Sequence, residues 1–435
     1  MSDQPNTDFE SERETLTTSS TYPNPTIPTT KKRKPSKMFV AMQNRNFRLF
    51  WNGAFVSNIG NWMQTIAQNW LVLSLSQSPF ILGLVNFIGN LPMLLFGLYG
   101  GVVADRKSRR NVLLVTQSLM LISILVMAIL TFTNLINIWL IVIIVSFVGM
   151  VSAFNAPAYQ TIMLDLVGKE NLMNAIAMNS IQFNLSRVIG PAIAGVIVVI
   201  FGVATCFFLN ALSFGAVLIA LFMVQIPAIT VTTQKHTFTS EIRETFSFLW
   251  NDRPMLGLIA SSAAFSIFVF PYLSLLSVFA KDVYKSGADS YGLLMGAVGV
   301  GAVIGGLIIA RLSDLEKRAR FVQIGSLIMV VSLVIFSFMP ILLTSLPFLA
   351  IAGGAMVTVQ SSVNTIVQTN VPDNMRGRII SVWQLASMGL LPIGSLLGGT
   401  AAEFIGAPLT IAIGVLVFGA ITLSVFIFIP RTRYL

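Results

Sequence analysis

The groups with the clearest chemistry are charges set inside or beside long apolar runs. Residues 101–110 read Gly101-Val-Val-Ala-Asp105-Arg106-Lys107-Ser108-Arg109-Arg110. One carboxylate among cations accepts charge-assisted hydrogen bonds from guanidinium groups, and it is favoured beside a helix N-terminus. Gly100 and Gly101 let their helix approach another closely. The expected chemistry is a conformational clamp built from Gly101, Asp105, Arg106, Arg109 and Arg110, because a loop that is merely basic needs no Asp105. A weaker copy runs from Gly306 through Arg311 to Asp314. A second charge, Arg187, lies in Ser186-Arg187-Val188-Ile189-Gly190-Pro191-Ala192-Ile193-Ala194-Gly195. An arginine in an apolar run must face an interior, a partner or a water-filled path, so Arg187 is expected to gate. Gly190 and Gly195 supply a small-residue face, and Pro191 is expected to kink the helix.

Uncharged polar groups are the other candidates. Asn58, Asn61, Gln64, Gln68, Asn155, Tyr159, Asn179, Gln182, Tyr272, Gln360, Asn364, Trp383 and Gln384 interrupt apolar runs. With aromatic and methionine neighbours they suit an adaptable cavity for a large, mostly apolar solute. Each amide taken alone reads more simply as a helix–helix hydrogen bond. The candidates for carrying a proton are Asp105 and Glu403. Asp165 and Glu170, with Lys169 between them, suggest a salt-bridge network that includes Arg106. One histidine, His236, and one cysteine, Cys206, supply no zinc cluster or catalytic triad. No Walker-type Gly-Lys-Ser/Thr loop is present. Neither enzymatic activity, a cofactor nor a metal is therefore expected.

These groups are positioned by membrane helices. The chain of 435 residues is 55% hydrophobic and 10% charged, with mean hydropathy +0.80. Soluble domains carry about 25% charged residues. Runs near 20 apolar residues, the length that crosses about 30 Å of hydrocarbon, fall at 49–75, 80–104, 111–131, 136–160, 174–200, 204–227, 256–280, 290–311, 321–340, 345–368, 379–401 and 407–430. The fold class is an all-α membrane protein of twelve helices. With both termini on the cytoplasmic side, every Lys and Arg of the 27 except Arg187, Lys281 and Lys285 falls on that side, as the positive-inside rule requires. The net charge of +10 is thus topological and points to lipid rather than nucleic acid. Residues 1–37 are polar and end near Lys31-Lys32-Arg33-Lys34, and they read as a disordered cytoplasmic tail against anionic lipid. A six-helix bundle is expected over 38–227. A linker with an amphipathic helix follows over 228–253, then a second bundle over 254–430 and a short tail over 431–435.

The two bundles repeat each other. Gly83 and Gly292 precede Asp105 and Asp314 with a common offset of 209 residues, and Gly190 and Gly195 match Gly394 and Gly399 with an offset of 204. Duplicated halves are a common basis for alternating access, in which two bundles rock about a midplane site.

Over roughly residues 44–430 the chain resembles the major facilitator superfamily. Gly101 to Arg110 is similar to its signature after the second helix, with Ser108 where glycine is usual. Gly190-Pro191 with Gly195 resembles the fifth-helix signature of exporters. Asn46-Phe47-Arg48-Leu49-Phe50-Trp51 and Ser57-Asn58-Ile59-Gly60-Asn61-Trp62 resemble the bacterial branch of enterobactin exporters and macrolide efflux proteins, with Asn61 where that branch often has aspartate. The resemblance implies substrate export in exchange for protons. Together with the amide-lined cavity, the expectation is a monomeric exporter of amphiphilic drugs, macrolides or siderophore-like molecules in the bacterial inner membrane. The alternatives are a lysophospholipid or lipid flippase, a solute importer and, in a different class, a channel or transporter-like receptor.

Overall fold

The computed structural model describes residues 40–224, 245, 247–311, 318–371, 375–429 and 432. The tail 1–37, most of the 228–253 linker with His236, Asp314, the Asp105 side chain and all of 431–435 except Thr432 lie outside that description.

Among the described residues the regular structure is entirely helical. The first bundle contains α1 (Arg45–Ser76), α2 (Pro79–Arg106), α3 (Arg109–Phe132), α4 (Ile138–Gly168), α5 (Glu170–Phe201) and α6 (Val203–Met223). The second contains α7 (Arg253–Val283), α8 (Ala288–Arg311), α9 (Arg318–Ser337), α10 (Leu342–Asn370), α11 (376–405) and α12 (407–428). Short polar side chains start several of them, because the first amides of a helix lack internal acceptors. Asn44 Oδ1 accepts from the Asn46 and Phe47 amides at 2.9 and 3.2 Å. Ser78 Oγ accepts from Ile81 N ahead of α2, whose first residue is Pro79, and Asn137 and Asp252 cap α4 and α7 in the same way. Helices α5 and α6 are separated at Gly202 (φ 83°), and α11 and α12 at Gly406 (φ 79°). Both positions need left-handed backbone, which glycine adopts without a Cβ clash, and they obey the 204-residue offset.

Among the described residues ten helical stretches are long and apolar enough to cross a membrane. One of them, Arg378–Phe428, has 51 residues. At about 1.5 Å per residue it would reach roughly 77 Å, more than twice the hydrocarbon core, and it divides at Gly406. Helix α1 is outside the ten because seven amide side chains dilute its apolar content. The arrangement is consistent with the twelve helices expected. Large apolar side chains such as Ile122, Ile219, Leu307 and Leu327 are more than half exposed, which water would penalise and lipid accommodates.

Packing within each bundle relies on close backbone approach. A Cβ at Gly100 would lie 2.0 Å from the Ala153 carbonyl oxygen, so α2 and α4 touch there, and in the second bundle Gly301 meets Ala350 in the same way. The close approach expected of Gly100 and Gly101 is made by Gly100 alone. Gly101 faces open space, one helical step of about 100° away from the contact that Gly100 makes. Pro191 lies inside α5 without a break in its helical dihedrals, and the non-helical dihedral between residues 138 and 201 is that of Gly168 (φ 71°), where α4 ends. Other distortions are π-helical. Helix α7 has π-helical turns at Phe265–Val269 and Phe279–Val283, and α11 has one at Leu385–Gly389. The Ser266 hydroxyl donates to the Ser387 carbonyl between the first and third of these.

The Gly100→Val protein should be destabilised by about 1–3 kcal/mol, the ordinary cost of overpacking, whereas Gly101→Val should melt like the parent. Thermal unfolding of both variants in one detergent checks the contrast, and equal melting temperatures would contradict the packing described.

Candidate functional site

The halves meet closely at the end opposite Asn44, called here the far end. A Cβ at Gly83 of α2 would lie 2.9 Å from the Gly399 Cα of α11, and one at Gly292 of α8 would lie 2.9 Å from the Gly195 Cα of α5. By the two repeat offsets Gly83 corresponds to Gly292 and Gly195 to Gly399. The crossings are therefore pseudo-symmetric mates.

Charges reinforce this seal at helix ends. Glu403 Oε2 of α11 accepts from Ser78 Oγ at 2.7 Å and from the Phe80 amide at 3.1 Å, placing a carboxylate on the N-terminus of α2, where the dipole favours an anion. Lys281 Nζ of α7 donates to the Leu73 carbonyl at 3.1 Å, placing a cation on the C-terminus of α1. The second half thus matches both ends of the α1–α2 turn with the correct sign. Deeper down, Asn69 Nδ2 donates to the buried Tyr291 hydroxyl at 3.0 Å, and Asn86 Nδ2 donates to Asn69 Oδ1 at 3.3 Å.

Arg187 lies near the middle of α5, between the halves. Its side chain is 6% exposed. The guanidinium carbon sits 5.6 Å from the Trp62 ring centroid of α1, and Nη2 is 3.6 Å from Met356 Sδ of α10. Tyr272 of α7 is within electrostatic reach. Pro191 has no N–H to donate to the Arg187 carbonyl, and Gly299 of α8 packs on that oxygen. Gly190 makes room for Trp62, since a Cβ there would fall 2.5 Å from the Trp62 Cβ.

At the near end the basic loop works within the first bundle. Arg109 forms an ion pair with Asp165 of α4, joining α3 to α4. Arg110 caps the C-terminus of α6 through Nε to Leu221 O at 2.8 Å and Nη2 to Phe222 O at 3.3 Å. The partner expected for Asp165 was Arg106. The observed partner is Arg109, because α3 begins beside the end of α4, while Arg106 is exposed.

The amides separate into two groups. Asn210 Nδ2 of α6 is fully buried and donates to Asn61 and Gln64. Gln64 also reaches Gln68, at 3.5 Å. Asn155 accepts from Thr116 at 3.0 Å and Gln117 at 3.1 Å, and Trp383 Nε1 donates to Ser262 at 3.2 Å. Apart from Gln64–Gln68, which lies within α1, these bonds join helices within one bundle. Tyr159 donates to Asn179 at 3.1 Å, beside Asn58 and the buried Gln182. Gln360 is half-buried, Asn364 accepts from Gln368, and Gln384 is exposed. Sequence reasoning missed Asn210, Asn86, Tyr291 and Lys281. For Asn210 a signal existed, a single amide in an otherwise apolar α6. Among the described residues no group of three or more His, Cys, Asp or Glu is placed to hold a metal.

Residues 36–433 match the model of a family described as transmembrane secretion effector. The chain is 27% identical to the staphyloferrin A transporter of Staphylococcus aureus, covering 88% of this chain and 96% of that protein. It is 23% identical to the multidrug efflux pump Tap of Mycolicibacterium fortuitum, over 88% and 95%, and 27% identical to the enterobactin exporter EntS of Shigella flexneri, over 89% and 93%. A bacterial homologue of the human lysosomal transporter Spinster, solved inward-facing and unoccupied, superposes with a TM-score of 0.67 at 15% identity, over 89% of this chain and 97% of that one. A membrane-spanning helical chain with duplicated halves, sealed at one end by related crossings and matched over nearly its whole length by that model, belongs to the transmembrane secretion effector family of major facilitator transporters.

Proposed function

We propose that the protein exports amphiphilic small molecules from the cytoplasm by alternating access between bundles over 38–227 and 254–430, in the bacterial inner membrane with both termini cytoplasmic. The observation that carries this reading is the far-end seal. Two symmetry-related glycine crossings close one end of a site to which both halves contribute, an arrangement suited to rocking. With the basic loops on the cytoplasmic side, the far end is external, and the seal closes the external side of the site. The curated relatives, named for siderophores and for multiple drugs, support cargo of that size and chemistry.

Three groups of residues have distinct roles. Glu403 and Lys281 hold the external end shut by capping α2 and α1. Glu403 is the candidate at which an external proton acts, because protonation removes the charge that favours the α2 N-terminus. Asp105, with Arg106 at the end of α2, is the proposed clamp for the opposite state, in which the cytoplasmic end closes. Arg109 and Arg110 support it indirectly by fixing α3 against α4 and α6.

Each charged cap at a helix end contributes about 0.3–1 kcal/mol, so removing both should raise the externally open population roughly 3- to 30-fold. Spin labels at Asn134→Cys and Thr344→Cys, in a Cys206→Ser background, should show a longer distance population when Glu403→Gln and Lys281→Met are added. An unchanged distribution would remove the latch role. Asp105→Asn should leave the protein folded and slow export roughly tenfold, through loss of charge-assisted bonds. Rates equal to the parent in vesicles would exclude the clamp. Cargo flux in proteoliposomes should rise when an inward proton gradient is imposed on the export direction. Flux indifferent to the gradient would defeat proton coupling, and net flux toward the cytoplasm would favour import.

A further inference from the structure

Arg187 has no ionic partner among the described residues. Its neighbours are the face of Trp62 and the sulfur of Met356, with the Tyr272 phenol within electrostatic reach. The Arg187 Nε and the Tyr272 hydroxyl are buried without a hydrogen-bond partner. A buried ion left uncompensated is strongly unfavourable, so the question is what completes the site. The described acids lie elsewhere. Asp165 is paired with Arg109 near the end of α4, Glu403 caps α2, and Glu170, Asp252, Asp282 and Asp289 stand at the ends of α5, α7 and α8. The acids outside the described residues fall, by sequence, before α1 or between helices, and Asp105 is the penultimate residue of α2. Arg187, in contrast, is the eighteenth residue of the 32 in α5.

We infer that Arg187 is the recognition point for an anionic group on the cargo, with the Tyr272 hydroxyl as a second donor and Trp62 and Met356 as the walls against its apolar part. The inference deepens the exporter reading and rests on it. The ligand class is an amphiphile with a carboxylate or a similar oxyanion, and cationic drugs are disfavoured by the same charge. The site spans both halves. Trp62 and Arg187 come from the first bundle, and Tyr272 and Met356 come from the second. An anion bound there bridges groups that move relative to each other when the bundles rock. Gating and recognition then reside in one residue. The Pro191 signature contributes locally, since it frees the Arg187 carbonyl on which Gly299 packs and so fixes the backbone from which the guanidinium projects.

The test uses two probes that differ only in charge, N-dansylglycine and N-dansylglycinamide. They are titrated by fluorescence at pH 7 into the full chain reconstituted in phosphatidylcholine nanodiscs. The parent protein should bind the carboxylate roughly tenfold or more tightly than the amide, as a charge-assisted bond requires. Arg187→Gln should abolish that preference, and Arg187→Lys should keep part of it. Thermal unfolding of each variant establishes that it is folded. Equal or absent carboxylate affinity in the parent, or a preference retained in folded Arg187→Gln, overturns the inference. A preference that vanishes when phosphatidylglycerol replaces phosphatidylcholine identifies a lipid headgroup as the occupant and overturns the assignment to cargo. Vesicle flux of the parent separates the two readings. Export without carboxylate preference removes only the anion site, and carboxylate preference without export removes the exporter reading while leaving the site.

Discussion

Contact of backbone on backbone at Gly83–Gly399 and Gly195–Gly292 is the constraint on which the rest of the molecule depends. Between helices in lipid there is no hydrophobic drive to associate, so affinity comes from close packing and from polar pairs. Glycine allows both, because it brings two helices near enough for small terms to accumulate. Since the crossings are mates under the internal repeat, the seal is balanced about the pseudo-axis that relates the halves. The dispersion gained there, the two helix-end caps and the Asn69–Tyr291 bond are each modest. They share one geometry, so they are made together and lost together. That cooperativity is what a two-state gate needs from weak parts.

Charge follows from the same medium. Low dielectric pushes ions to the helix ends, where the structure uses them as caps: Glu403 on α2, Lys281 on α1 and Arg110 on α6. Arg109 and Asp165 neutralise one another at the near end of α3 and α4. Each of these ions meets a dipole or a countercharge of the correct sign. Among the described ions Arg187 is the exception, held at mid-helix between the halves by an aromatic face and a thioether, which is why it carries the inference of an anion site.

Much of the architecture was legible in the residues because it rests on length, apolarity and the sign of loop charges. Even the turns at Gly202 and Gly406 follow the offset read from Gly195 and Gly399. What escaped depends on rotation about a helix axis, where one residue changes the facing direction by about 100°. Gly100 and Gly101 are adjacent, yet one touches α4 and the other touches nothing. Arg106 ends α2 and Arg109 begins α3, three residues apart, yet Asp165 selects the second. Asn61 and Gln64 suited a cavity wall as well as a helix contact, and Asn210 decides in favour of contact. The π turns of α7 and α11 carry no comparable signal, apart from Pro271 just after the first. Asp105 was legible as a motif, while its side chain lies outside what the structure describes.

An anionic cargo changes the energetic question. A drug cation leaving a cell with a negative interior moves against the membrane potential, and proton exchange is one way to offset that. A carboxylate moving outward travels with the potential, gaining about 2.3 kcal/mol per charge for each 100 mV. In the inferred role, Arg187 would let such a charge enter the low-dielectric midplane without carrying protein charge across, since the guanidinium stays on α5 while the cargo departs. The described mid-helix region supplies this cation and no carboxylate that would exchange a proton beside it. On the proposed reading the proton acts at Glu403, at the external end, while the charge of the cargo contributes to the driving force.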